Sequence, residues 1–158
     1  MITLEQGEFD QLRRSLLLLD REKTRLVAKR KLERIAKNHH PLMAPIALGG
    51  LATGALWDGD YNQAISHLQT MIAQYSSHPV ALWAATLLSS IFRSMGMKRE
   101  RFEVEGERFR IMRRIALQSE SSDHKIFALQ ELLQELRARD LESDADRCAA
   151  ELQDLLAN

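Results

Sequence analysis

The chain has 158 residues and a single cysteine, Cys148. One thiol excludes an intramolecular disulfide and a cysteine-based zinc site, and it fits a reducing, cytoplasmic setting. Only three prolines occur, and aromatic residues make up 6% of the chain. Alternating β-branched and aromatic runs are missing, which argues against a sheet. Net charge is also missing, because 22 Lys and Arg are matched by 22 Asp and Glu. No global field therefore draws the chain to nucleic acid or to a membrane. The opening Met1-Ile2-Thr3-Leu4-Glu5 lacks the basic start and apolar run of a secretory signal. The uncharged run of residues 41–57 is interrupted by Pro45, Gly49, Gly50 and Gly54 and followed at once by Asp58 and Asp60. It reads as a buried helix and not as a membrane span. No phosphate-cradling glycine loop, HExxH, nucleophile elbow or catalytic carboxylate pair occurs. The expectation is a protein that is not an enzyme and carries no cofactor and no metal.

What is present is the mix of an ordinary folded domain: 45% apolar and 28% charged residues. At this length roughly two-thirds of the unfolded chain's surface can be buried, so a single domain over 1–158 is expected. Charge is unevenly spread. Residues 11–40 hold ten Lys or Arg against three acids, residues 42–97 only Asp58, Asp60 and Arg93, and residues 118–158 ten acids against four bases. A basic start, an uncharged centre and an acidic end follow one another.

Apolar residues recur three and four apart almost throughout, the period of helices buried on one face. Phe9, Leu12, Leu16 and Leu19 form a first stripe, and Leu26, Val27, Leu32, Ile35 and Ala36 continue it. Asp20 either caps a break between two helices or lies inside one long helix. Pro41 stops this region. A helix over about 43–57 carries three interior glycines, each costing roughly 1 kcal/mol relative to alanine, so a close helix contact should offset them. Gly59 ends that helix and Asp60 caps the next, about 61–75. Further helices are expected over about 80–95, ending at Gly96; over 98–118, with Phe102, Phe109, Met112, Ile115 and Ala116 on its apolar side; from a cap at Asp123 to about 138; and over about 142–156.

These elements repeat. His40-Pro41 returns as His78-Pro79, 38 residues on, and Gly59 as Gly96, 37 residues on. Asp140 takes the same elbow place, with Ala145 where Ala64 stands. Paired helices at such periods belong to helical arrays, in which each hairpin needs stacked neighbours to bury its apolar face.

The repeat resembles the tetratricopeptide repeat. The best copy reads Leu48, Leu51-Ala52, Ala55, Gly59, Tyr61, Ala64, Leu68, Met71. A second reads Ala85, Leu88-Ser89, Phe92, Gly96, with Arg101 where a small residue belongs. A third reads Leu129, Leu132-Leu133, Leu136, Asp140, Ala145, Ala149, Leu152. The resemblance covers most of 44–157 and specifies packing, so it speaks to fold more than to function. It implies an all-α stack of seven or eight helices in antiparallel hairpins: a basic helical region 1–41, a best-formed repeat 42–79, a degenerate repeat 80–120 and an acidic hairpin 123–157.

The resemblance also implies a concave groove lined by the first helix of each hairpin. Carried over, the groove would show Ile46, Gly49, Thr53, Leu56 and Trp57; then Trp83, Thr86, Ser90 and Arg93; then Phe127, Gln130, Gln134 and Arg137. Such a groove is apolar and aromatic, fitted to an extended or helical segment of another protein. The implied function is that of an adaptor, scaffold or chaperone, with Trp57, Trp83, Arg93, Phe127, Gln130, Gln134 and Arg137 contacting the partner.

Each feature has a plainer reading. Trp57 and Trp83 are either anchors for a partner or packed in the core and elbow. Met43, Met71, Met95, Met97 and Met112 are either an adaptable surface or core filling. His39-His40 reads as a solvated helix end and not as a metal site. Cys148 reads as a small buried residue, since no base or orienting group accompanies it. The basic stretch 13–37 has no interleaved aromatics, so a solvated face is favoured over a nucleic-acid contact. Its opposite in sign is the acidic end of the chain, and head-to-tail pairing of the two, within one chain or between subunits, is electrostatically favourable. Two alternatives to the adaptor therefore stand: a nucleic-acid-associated regulator using Arg13 to Lys37, and a self-assembling subunit.

Overall fold

A computed structural model of the chain describes residues 4–38 and 40–158. Every regular element among them is an α-helix. The eight helices are α1 (Leu4–Leu18), α2 (Glu22–Lys37), α3 (Met43–Trp57), α4 (Tyr61–Gln74), α5 (Pro79–Ser94), α6 (Lys98–Gln118), α7 (Ser122–Ala138) and α8 (Glu142–Ala157). The chain forms two compact units, residues 1–71 and 72–158. The division falls inside α4, and so inside the expected repeat 42–79.

In the first unit α1 packs on α2, α2 on α3, and α1 also reaches α3. The long basic region is broken after Leu18, and Asp20 is not the cap. Arg21 is the N-cap of α2 and makes no side-chain cap bond. The carbonyls left free at the end of α1 are taken up from the other side. Thr24 Oγ1 donates to Leu18 O at 2.7 Å and Arg25 Nε to Leu19 O at 2.8 Å. Along α2, Ala28, Leu32 and Ile35 are buried, whereas Leu26 and Val27 remain 61% and 50% exposed. The looser half of the expected stripe thus faces outward.

Two of the three α3 glycines make the close contact their cost required. A Cβ on Gly50 would lie 2.6 Å from Leu16 Cδ2, and one on Gly54 would lie 3.0 Å from Leu19 Cδ2 and 3.2 Å from Lys29 Cε. The pair, four residues apart, forms a flat strip against which α1 and α2 seat their leucines. Along α4, Ala64, Leu68 and Met71 are fully buried at helical spacing.

In the second unit α5 packs on α6, α6 on α7 and α7 on α8. Pro79 opens α5 behind His78, whose Nδ1 accepts the Val80 N–H at 3.1 Å. His78, marked in the sequence by the repeated His-Pro pair, is thus the cap of α5. Ser121, and not Asp123, caps α7 by accepting the His124 N–H at 3.3 Å. Asp123 falls in the first turn, where its charge favours the helix dipole. On α6 the buried face is Val104, Ile111, Met112 and Ile115. Phe102 lies about half a helical turn from Ile111 and is 80% exposed, not part of the apolar face.

Three elbows share one geometry. At the first, the Asp60 N–H donates to Ala55 O at 2.8 Å and the Gly59 N–H to Leu56 O at 3.0 Å. At the second, Met97 donates to Phe92 O at 2.9 Å and Gly96 to Arg93 O at 3.1 Å. At the third, Leu141 donates to Leu136 O at 2.9 Å and Asp140 to Arg137 O at 3.1 Å. Each is a Schellman closure with its central residue in the left-handed region: Gly59 at φ 73°, Gly96 at 70° and Asp140 at 57°. The residue after it starts the next helix, its carbonyl accepting from Ala64, Arg101 or Ala145. Ala64 and Ala145 are buried there, while Arg101 keeps its side chain partly outside and pairs with Glu105.

Candidate functional site

Within the second unit, α5 and α7 carry the carried-over stripes at matching distances before the Gly96 and Asp140 elbows. All of their named residues are on the outside. Trp83 is 44% exposed and Phe127 42%. Arg93, Gln130, Gln134 and Arg137 are exposed as well. The burial expected on the plainer reading of Trp83 is therefore absent.

The two helices begin side by side. The His78 and His124 rings meet edge to face, 5.1 Å between centroids. Burial, and then the neighbouring His124, push the His78 pKa below its ordinary value. Further along, Arg108 of α6 reaches between α5 and α7. Its Nε donates to Thr86 Oγ1 at 3.0 Å, Nη1 to Glu135 Oε1 at 2.6 Å and Nη2 to Glu131 Oε2 at 3.4 Å. Ser89 and Arg101 both donate to Glu105, at 3.0 and 3.2 Å. Burial works against the Glu105 carboxylate, but these two hydrogen bonds and the charges of Arg101 and Arg93 outweigh it, so its pKa is lowered.

These groups line a pocket of about 220 Å³ between Thr86, Ser89, Ser90 and Arg93 on one side and Glu135 and Arg139 on the other. The expected apolar groove is thus polar in this unit. The reason lies in side-chain size. Thr86, Ser89 and Ser90 are small, and the long Arg and Glu side chains of α6 and α7 fill the space they leave. Arg108, Glu105, Glu131 and Glu135 had no place in the sequence motif. Their spacing marks them as one face of each helix, but only folding shows that the faces meet. Arg93 and Arg137 make no ion pair among the described residues. The face therefore offers aromatic groups at the helix starts and unpaired guanidinium groups near the ends.

The first unit carries the apolar counterpart. A groove of about 390 Å³ is lined by Phe9, Leu12, Arg13, Leu16 and Leu17 of α1 and Ile46 of α3. Ile46 belongs to the carried-over stripe, whereas Phe9, Leu12 and Leu16 were expected as one apolar stripe of a helix and Arg13 as the start of the basic stretch. Trp57, at the other end of α3, is 51% exposed, so it too is outside the core. The Arg25 guanidinium lies 5.5 Å from its ring centre. Arg25 Nη1 also bonds Asp58 Oδ1 at 2.7 Å, and Lys29 Nζ bonds the other oxygen of the same carboxylate. Hydrogen bonds from Lys29, then Arg25, hold the Asp58 pKa below the ordinary carboxylate range. Two bases of the 13–37 stretch are thus engaged by Asp58.

The remaining features resolve in the same way. His40 Nδ1 accepts from the Leu42 and Met43 N–H groups, both at 3.2 Å, and its ring meets Phe9 edge to face at 6.1 Å. His39 lies outside the described residues. Met43, Met71 and Met112 are core, while Met95 is 43% exposed. Cys148 is buried and its thiol donates to Leu129 O at 3.3 Å. Burial, and then Glu151, raise its pKa, which works against a reactive thiolate. No described helix is long and apolar enough to cross a membrane. No protein-family model matches the chain, and no curated protein or solved structure matches it either.

Proposed function

We propose that this chain is a non-catalytic binding protein, an adaptor, scaffold or chaperone, that holds a segment of another protein along α5 and α7 of its second unit. One observation carries the reading. At matching places on α5 and α7, half-exposed Trp83 and Phe127 precede exposed, unpaired Arg93 and Arg137. Trp and Arg are the residues that most often dominate binding energy at protein interfaces. The pocket between these helices, its charges already ordered by Arg108, supports a rigid surface in which little side-chain entropy is lost on binding. The chemistry favours a segment with an apolar residue at one end and acidic residues at the other. The three like elbows support grouping the hairpins with tetratricopeptide-type repeats.

The test is selection from a peptide library, followed by titration of a selected peptide monitored by tryptophan fluorescence. Selected peptides should carry an apolar and an acidic position. Trp83→Ala and Arg93→Glu should each weaken binding at least about tenfold, or about 1.4 kcal/mol, with thermal unfolding unchanged. Unaltered affinity in both folded variants refutes the assignment of this face.

A further inference from the structure

We propose that the outer face of α2 in one copy of this chain docks on the outer face of α8 in a second copy. On α2, Lys23, Leu26, Val27, Arg30, Arg34 and Lys37 recur three and four apart and share one side of the helix. Leu26 and Val27 at its centre are 61% and 50% exposed, so no described residue of the first unit covers them. None of the four bases around them has an ion-pair partner among the described residues, whereas Arg25 and Lys29, on the inner side, are held by Asp58. Glu33 is the acid at the edge of this face.

The outer side of α8 is its complement. Glu142, Asp146 and Asp154 stand there without ion-pair partners among the described residues, around the exposed Ala150. The one base of α8, Arg147, is turned to Asp144 at 2.9 Å. Alanine in the middle of the acidic face leaves room for Leu26 and Val27 of the second copy, and the acids frame them opposite Lys23, Arg30 and Arg34. The apolar centre supplies the attraction and the charges set the register. A helix-on-helix contact is small beside a stable dimer interface, so association is weak and concentration-dependent. The two faces differ, so the contact closes either as a reciprocal two-fold pair, α2 on α8 and α8 on α2, or head to tail in rings and open chains.

Sedimentation velocity of the full chain tests this. At about 100 µM and low salt, apparent mass should exceed that of one copy and fall as salt is added. The double variant K23E/R30E should stay single, and so should D146K/D154K. These positions are exposed, and Lys23→Glu early in α2 and Asp154→Lys late in α8 suit the helix dipoles, so both variants should fold. Mixed in equal amounts, they should associate again, because the reversed faces complement each other. L26A/V27A should also stay single at every salt concentration. A wild-type chain that remains single at low salt overturns the proposal. So does failure of the mixed variants to re-associate. Binding of a nucleic acid through α2 by an otherwise single chain would assign the basic face to a polyanion instead.

Discussion

Asp140 holds in the α7–α8 elbow the place that Gly96 holds in the α5–α6 elbow, with φ of 57° and 70° and the same pair of closing hydrogen bonds. A side chain in the left-handed region carries a steric cost that glycine does not. Aspartate is among the residues that tolerate it best. Asp140→Gly should therefore raise stability by roughly 0.5–1 kcal/mol, and Gly96→Ala should lower it by about 1 kcal/mol. Urea denaturation of the two variants checks both signs.

The glycines inside helices divide by their surroundings. Gly106 has nothing within 4 Å of a built Cβ. Gly106→Ala should then stabilise by about 0.5–1 kcal/mol through helix propensity alone. Gly50 faces Leu16 and Leu32 at 2.6 and 3.1 Å, so Gly50→Val should destabilise by roughly 1–3 kcal/mol through overpacking. Thermal unfolding of the pair gives opposite shifts if the flat strip on α3 is a packing surface. A neutral Gly50→Val would mean that Leu16 gives way freely.

His78 makes stability depend on pH in a defined direction. Its pKa is lowered from the ordinary 6.5 by burial and by His124, and its Nδ1 must be unprotonated to accept from Val80. The folded state thus binds fewer protons than the unfolded state. The contribution is fully present above about pH 6.5 and is lost as pH falls below it. His78→Asn keeps a cap acceptor and should flatten the decline between pH 7 and pH 5. An equal decline in the variant would place the pH dependence elsewhere.

Arg108 joins α5, α6 and α7 through Thr86, Glu131 and Glu135, with its side chain 19% exposed. Arg108→Met keeps the apolar stem and removes the charge, leaving the half-buried Glu131 without its partner and Glu135 with Arg139 at 3.7 Å. A loss of about 1–3 kcal/mol is expected. A double-mutant cycle with Glu135→Gln should show coupling of at least about 0.5 kcal/mol. Additive effects would reduce the network to separate surface pairs.

The local structure was written in the chain because its causes are local. Apolar spacing set the helices, and α3, α6 and α8 begin where that spacing placed them. Gly59, Gly96 and even Asp140 marked the elbows, since a left-handed residue is needed at each and few side chains accept it. The failures were equally local. Asp123 looked like a cap until Ser121, two residues earlier, took the role. Phe102 looked apolar in kind but lies on the wrong side of α6.

The sequence by itself determined an all-α chain, its elbows and the outward stripes on α3, α5 and α7, because each depends on residues within a few turns of one another. Only the tertiary structure decided what lies between those stripes. Arg108 fills the space beside Thr86 and Ser89, His78 meets His124, and Asp58 gathers Arg25 and Lys29, all across separations that no periodicity records. That is also why the second unit's groove came out polar and the first unit's groove apolar. A helix fixes which side chains share its face, but the charge and depth of a site depend on which other helix the fold sets opposite.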